Sequence, residues 1–131
     1  MIVDTSAVVA ILKAEEGHED LARSILRQKS QMSAANYVEL MCVLSSSREP
    51  ATARRADQLL EALGIEVVPV SVEQARIAAD AYRAYSRGSG HPAGLNYGDT
   101  FAYALAVERN EPLLFTGRDF AATDVLRASS G

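Results

Sequence analysis

The chain has 131 residues, 48% of them hydrophobic, a length that buries one sizeable core and leaves little room for a second domain. Its single cysteine, Cys42, excludes an internal disulfide and a cysteine-based zinc site, and its longest apolar stretch, Ala7 to Leu12, is far short of the roughly 20 residues that span a bilayer. A net charge of −4 argues mildly against nonspecific nucleic-acid binding, because the phosphate backbone attracts basic domains.

Met1 to Asp4 reads as a short buried strand rather than a signal segment, so a reducing, cytoplasmic setting is expected. Ser6 to Lys13 carries the apolar residues of a helix entering the core. After a loop around Gly17, a second helix is predicted over Glu19 to Arg27, with Leu21, Ile25 and Leu26 inward. Gln31 to Ala34 reads as a short strand. Asn36 then offers a cap for a helix in which Val38, Met41, Cys42 and Ser45 recur at helical spacing, with Cys42 expected as a small buried hydrophobe. Pro50 suits the first turn of a further helix, whose inward stripe is Ala56, Leu59, Leu60 and Leu63 and which Gly64 ends.

Ile65 to Val70 resumes as a β-branched strand. Ser71 and Gln74 fit a capping box, after which Ala75, Ala78, Ala79, Tyr82 and Tyr85 mark one face of a long helix. The segment Arg87 to Gly94 breaks that helix. Tyr97 to Arg109 is alanine-rich and helical, and Pro112 leads into a strand over Leu113 to Phe115. This alternation predicts one α/β domain over residues 1–131, with a mostly parallel central sheet and helices on both faces. In such sheets ligands gather beyond the carboxyl ends of the strands, and Asp4 and Asp119 follow strands directly.

Four widely separated acids lie at the edges of apolar segments: Asp4 in MIVDTSA, Glu39 in AANYVEL, Asp99 in LNYGDTFAYALA and Asp119 in LLFTGRDF. Near a core end, a carboxylate is costly to ionise unless a cation, hydrogen bonds or water compensate. Each also has a plain structural role open to it. Asp4 is placed to cap the helix that follows, although Thr5 and Ser6 would serve as well, and their hydroxyls could instead steady the Asp4 carboxylate or a metal-bound water. Glu39 lies at capping-box distance from Asn36, and Asp99 lies in a first helical turn after Asn96, where the helix dipole favours an acid. Gly98 removes a side chain beside Asp99, and Ala102 and Ala106 let that helix pack closely. Asp119 sits in a turn, where aspartate is commonly structural, and Asp124 competes with it.

Arg83, Arg87, His91 and Arg118 lie near Asp99 or Asp119 in sequence and read as solvated charges. Tyr82, Tyr85 and Tyr103 fit a core or an interface better than a base-stacking platform. No other motif rivals the acids: Ser6 lacks a nucleophile elbow, His18 and His91 are not at metal-ligand spacing, and no glycine-rich phosphate loop occurs. Oxygen-only ligation suits magnesium or manganese and disfavours zinc or copper.

Taken together, MIVDTSAVVAIL, AANYVEL, AGLNYGDTFAYALA and LLFTGRDF resemble a PIN domain, and more closely the VapC toxins of bacterial toxin–antitoxin pairs. The resemblance covers essentially the whole chain. It implies a three-layer α/β/α fold with a parallel sheet, a Mg²⁺- or Mn²⁺-dependent endoribonuclease that hydrolyses RNA phosphodiester bonds, a homodimer, and inhibition by a cognate VapB-type antitoxin. Carried over by motif, Asp4 and Asp99 would be metal ligands, Glu39 would complete the central acidic trio, and Asp119 would be the fourth acid, at a position where the chain departs from the common spacing. A catalytically silent PIN-like module that binds RNA or antitoxin is the alternative from a different class. A phosphatase using Asp4 as nucleophile is disfavoured, because Ser6 stands where such enzymes often place a second aspartate.

Overall fold

A computed structural model describes residues 1–46 and 49–129. The chain runs through β1 (Ile2–Val3), α1 (Thr5–Leu12), α2 (His18–Leu26), β2 (Ser30–Ser33), α3 (Ala34–Leu44), α4 (Ala51–Ala62), β3 (Ile65–Val68), α5 (Val72–Tyr85), a 3₁₀ turn (Arg87–Ser89), α6 (Tyr97–Arg109) and β4 (Leu113–Leu114). The strands form one sheet in the order β3-β2-β1-β4, with every neighbouring pair parallel. From β1 the chain steps outward to β2 and β3, then returns to lay β4 on the other side of β1. That reversal makes the carboxyl ends of β1 and β4 the switch point of the sheet, where the crossovers diverge and a crevice opens. Among the described residues no helix is long and apolar enough to cross a membrane.

Successive strand residues point to opposite faces, and both faces are covered. Val3 and Leu114 join a core built with α1, α2, α3 and α4 around Val8, Ile25, Leu40 and Leu60. Ile2 and Leu113 join a second core, with Ala102, Tyr103, Leu105 and Ala106 of α6 and Ala81 of α5. The layers are therefore α/β/α, as the alternation predicts. α6 is buried along most of its length from Asp99 to Ala106, and its alanines let it lie close to α5, α3 and the sheet at once.

Three local expectations change. The cap of α3 is Ser33, whose side chain accepts from the Ala35 N–H at 3.2 Å, so Asn36 falls inside the helix. The buried residues of α3 are Asn36, Leu40 and Leu44, while Val38 is 59% exposed and Cys42 is exposed. The segment AANYVELMCVL is apolar on every face, so its periodicity selects no stripe and tertiary contacts decide. At the end of α2, Leu21 and Ile25 point inward as expected, but Leu26 is 61% exposed.

α5 starts as predicted, with Ser71 accepting from the Gln74 N–H. The Gln74 side chain, however, donates to Glu108 of α6 at 2.9 Å, which ties the two helices together. The predicted face of α5 is split: Ala78 is buried, Tyr85 stacks edge-on against Tyr103, and Ala75, Ala79 and Tyr82 line an apolar groove of about 510 Å³ with Tyr97 and Phe101 of α6.

The exposed thiol yields a direct check. Cys42→Ser is expected to shift unfolding free energy by less than about 0.5 kcal/mol, as surface substitutions do, and the native wild-type protein should react stoichiometrically with a thiol reagent before denaturant is added.

Candidate metal centre

Beyond the carboxyl ends of β1 and β4 lies an open cleft of about 300 Å³, lined by Asp4, Glu39, Asp99 and Asp119 together with Ser6, Asn96 and Thr116, and by a fifth acid, Glu15, that the sequence did not single out. All four acids singled out in the sequence thus reach one cleft, from four different elements or loops. Asp124 does not line it; its Oδ1 accepts from the Tyr103 hydroxyl at 2.5 Å and the Tyr85 hydroxyl at 3.4 Å. The apolar groove between α5 and α6 is larger but has no acid in its lining.

Asp4 is the N-cap of α1, and its two oxygens differ. Oδ2 accepts from the Ser6 N–H at 3.1 Å, while Oδ1 is buried and has no hydrogen-bond partner among the described residues. The residue is 3% exposed. Its neighbours lock the surrounding backbone: the Thr5 hydroxyl donates to the Asn36 carbonyl at 3.2 Å, and the Ser6 hydroxyl accepts from the Thr116 N–H at 3.1 Å, joining the start of α1 to α3 and to the end of β4.

Asp99 completes a reciprocal capping box with Asn96. Its N–H donates to Asn96 Oδ1 at 2.9 Å, and its Oδ2 accepts from the Asn96 N–H at 3.0 Å. The capping role open to it in the sequence is therefore real, and it coexists with a place in the cleft. Both capping acids stand at the positive ends of helices, which favours negative charge there.

Glu39 projects from the middle of α3, with Oε1 accepting from Asn36 Nδ2 at 3.2 Å. It lies hard against the first turn of α6. A Cβ built on Gly98 would fall 1.7 Å from Glu39 Oε2, so any side chain at position 98 would displace the carboxylate. Asp119 arrives through the turn after β4, where Gly117 takes the left-handed conformation at φ 83°, one that glycine adopts without steric cost.

The electrostatics follow from this crowding. Burial is the main cause that raises the Asp4 pKa to about 6, opposed by hydrogen bonds from Ser6 and Thr5 and reinforced by the charge of Glu39. Burial likewise leads in raising Asp99 to about 7, and the charges of Asp4, Asp119 and Glu39 add to it. Among the described residues the cleft lining holds no Lys, Arg or His, and none of the four acids joins an ion pair. Arg83 pairs with Asp80, and His91 packs on Tyr85, away from the cleft.

A hard divalent cation fits this donor set: among the described residues all its ionisable side chains are carboxyl groups, and Asp4 Oδ1 lacks a partner. Among the described residues no three acidic, His or Cys side chains are gathered tightly enough to hold an ion by themselves. Mg²⁺ is commonly bound by one or two carboxylates plus waters and substrate phosphates, so an open arrangement of this kind suits it.

Sequence reading missed Asn36 as part of the site. It expected a cap, and the serine three residues earlier was the available signal for a different helix start. Ser6, expected as a hydroxyl that steadies Asp4, also joins α1 to the end of β4 by accepting from the Thr116 N–H, and Thr116 carries no separate signal in the sequence.

The PIN domain family matches residues 1–126. Ribonuclease VapC42 of Mycobacterium tuberculosis is 53% identical over 126 residues, which cover 95% of this chain and 96% of that protein. Among solved structures, Mycobacterium tuberculosis VapC20, a sarcin-ricin loop cleaving toxin, matches with a TM-score of 0.73 at 15% identity and 97% coverage of both chains. A toxin–antitoxin complex from Klebsiella pneumoniae matches with a TM-score of 0.70 at 14% identity, covering 99% of this chain and 97% of the other. At these identities the structural likeness speaks for the α/β/α fold alone.

Two measurements test the geometry. Gly98→Ala should unfold within about 1 kcal/mol of wild type, because alanine favours the helix and the end of the Glu39 side chain can swing aside. Calorimetric titration should nevertheless show its Mg²⁺ affinity reduced at least about tenfold. In the metal-free protein, Asp4 and Asp99 hold protons to higher pH when folded than when unfolded. Their contribution is therefore fully present below the unfolded pKa of about 4 and is lost as pH rises through about 6 and 7. Relative to wild type in chelator, Asp4→Asn, which keeps the cap, should gain on the order of 3 kcal/mol between pH 4 and pH 8 in denaturant melts. A flat difference across that range would contradict the burial of this carboxylate.

Proposed function

The chain belongs to the PIN domain family and, within it, to the VapC ribonucleases, and we propose that it is the toxin of a toxin–antitoxin pair whose acidic cleft uses Mg²⁺, or Mn²⁺ in its place, to hydrolyse RNA. The observation that carries this reading is a cleft lined by Asp4, Glu39, Asp99 and Asp119, with Glu15 as a fifth acid, and with no basic side chain in the described lining. Asp4 and Asp99 are the metal ligands in this proposal, Glu39 positions a second ion or the attacking water, and Asp119 is the fourth acid. When bound, the metal supplies charge to offset phosphate oxygens and to lower the pKa of water.

The chain's own groups do the placing. Ser6 holds one Asp4 oxygen, while the other is buried without a partner among the described residues; Asn96 fixes Asp99 at the head of α6; Asn36 and Gly98 confine Glu39. With no metal bound, burial holds a proton on Asp4 up to about pH 6 and on Asp99 up to about pH 7, so cation uptake expels protons and strengthens as pH rises through 6 to 7.

The cleft is open, and single-stranded or looped RNA, whose phosphates and bases are free of a helix, is the form that reaches it. The VapC20 toxin cleaves such a loop, which supports this substrate class. The solved toxin–antitoxin complex supports a VapB-type antitoxin as partner, and the uncompensated acids favour an antitoxin segment that inserts a basic side chain into the cleft. A homodimer is part of the same reading. Its natural face is the groove between α5 and α6, where Tyr82 is 49% exposed; Tyr85, turned inward onto Tyr103, takes no part. The site of action is the cytoplasm, where the RNA is.

The test compares purified Asp4→Asn, Glu39→Gln, Asp99→Asn and Asp119→Asn with wild type for Mg²⁺ binding and RNA cleavage. Asp4→Asn and Asp99→Asn are expected to lose more than the roughly 100-fold that removal of an outer hydrogen-bond partner costs, and chelation should abolish wild-type cleavage until Mg²⁺ is restored. Full activity in Asp99→Asn would sink the proposal.

A further inference from the structure

Asn36 is wholly buried inside α3, and on stability alone it is a poor choice of residue there. Asparagine is a weak helix former, and its Oδ1 is buried with no hydrogen-bond partner among the described residues, which costs stability that an apolar residue of similar volume would not lose. Both hydrogens of its Nδ2 are nevertheless placed. One reaches Glu39 Oε1 at 3.2 Å, and the other reaches the Gly98 carbonyl at 2.9 Å. The amide faces this way for a reason: turned over, its oxygen would lie against a carboxylate and a carbonyl, neither of which can donate to it.

Local rules broken together at one position point to a functional demand. Resting on the ribonuclease reading above, we propose that Asn36 is the positioning residue for Glu39. Its amide is a bracket between α3 and the first turn of α6, and it does two things at once. It holds one oxygen of a side chain with several rotatable bonds, and it fixes the distance between Glu39 and the helix that carries Asp99. Gly98 forms the other jaw, since its missing side chain lets Glu39 Oε2 lie over the α6 backbone. The bracket is braced from behind, where the Thr5 hydroxyl, next to Asp4, donates to the Asn36 carbonyl. Asn36 touches neither metal nor RNA; it sets where Glu39 stands relative to the other acids.

The experiment uses the full chain and the variants Asn36→Ala and Asn36→Leu, the second filling the volume in case alanine loosens the fold. The first readout needs no activity: the side-chain carboxyl ¹³C resonance of Glu39, assigned by its loss in Glu39→Gln, is compared in the metal-free proteins. It should move in both folded Asn36 variants while that of Asp119 stays in place. An unmoved Glu39 resonance overturns the proposal. The second readout is RNA cleavage at saturating Mg²⁺, with kcat expected to fall about 10- to 100-fold and KM for RNA little changed. Adding Asn36→Ala to Glu39→Gln should then cost almost nothing more, because the group it positions is already altered. An equal loss in both backgrounds would make Asn36 merely structural and would also overturn the proposal. Absence of metal-dependent cleavage in wild type would refute the ribonuclease reading itself, while the resonance still decides what Asn36 does to Glu39.

Discussion

The governing constraint is negative charge that the protein does not neutralise. At the carboxyl ends of β1 and β4, carboxylates are drawn into a partly dry cleft with no basic side chain among the described lining residues. The chain supplies only partial compensation: the positive ends of α1 and α6, with Asp4 and Asp99 as their capping acids, and a few hydrogen bonds from backbone and amide groups. Charge left in that condition is relieved by a proton, by a cation or by an inserted basic group. Under the proposed function, metal binding, pH response and the approach of a partner are thus three answers to one electrostatic imbalance.

The fold makes that imbalance tolerable by placing it where the chain is stiffest. β1 is the central strand on which β2 and β4 both rest, and α6, buried over most of its length, touches the sheet, α3 and α5. Asp4 and Asp99 stand at the ends of these two elements, so their positions are inherited from the core and not from a loop. Asp119 is held differently, by the short turn at Gly117 after β4, whose end is pinned to α1 through Ser6. Sites built on rigid elements hold their geometry more closely than sites built on loops.

Much of this was legible from local chemistry. Asn96 and Asp99 announce a helix start that the structure reproduces, Ser71 and Gly64 mark other ends, and the alternation of strands and helices leads to the parallel sheet. The misreadings occurred where local signals were weak or doubled. In α3 apolar residues occupy every face, so nothing in the segment says that Val38 and Cys42 face solvent while the polar Asn36 faces inward. Convergence of the acids could not be derived from periodicity at all, because it depends on β4 returning beside β1; only the ordered motifs carried that information. Which of Asp119 and Asp124 lines the cleft was likewise a tertiary matter: Asp119 does, while Asp124 accepts from the hydroxyls of Tyr85 and Tyr103.

Asp4 divides its labour between its two oxygens, one closing a helix and the other left bare. Asparagine retains an oxygen for the first task and lacks the charge for the second. A single-base change in an aspartate codon produces it. The step from aspartate to asparagine therefore separates the two tasks, keeping the cap on α1 while removing charge from the cleft.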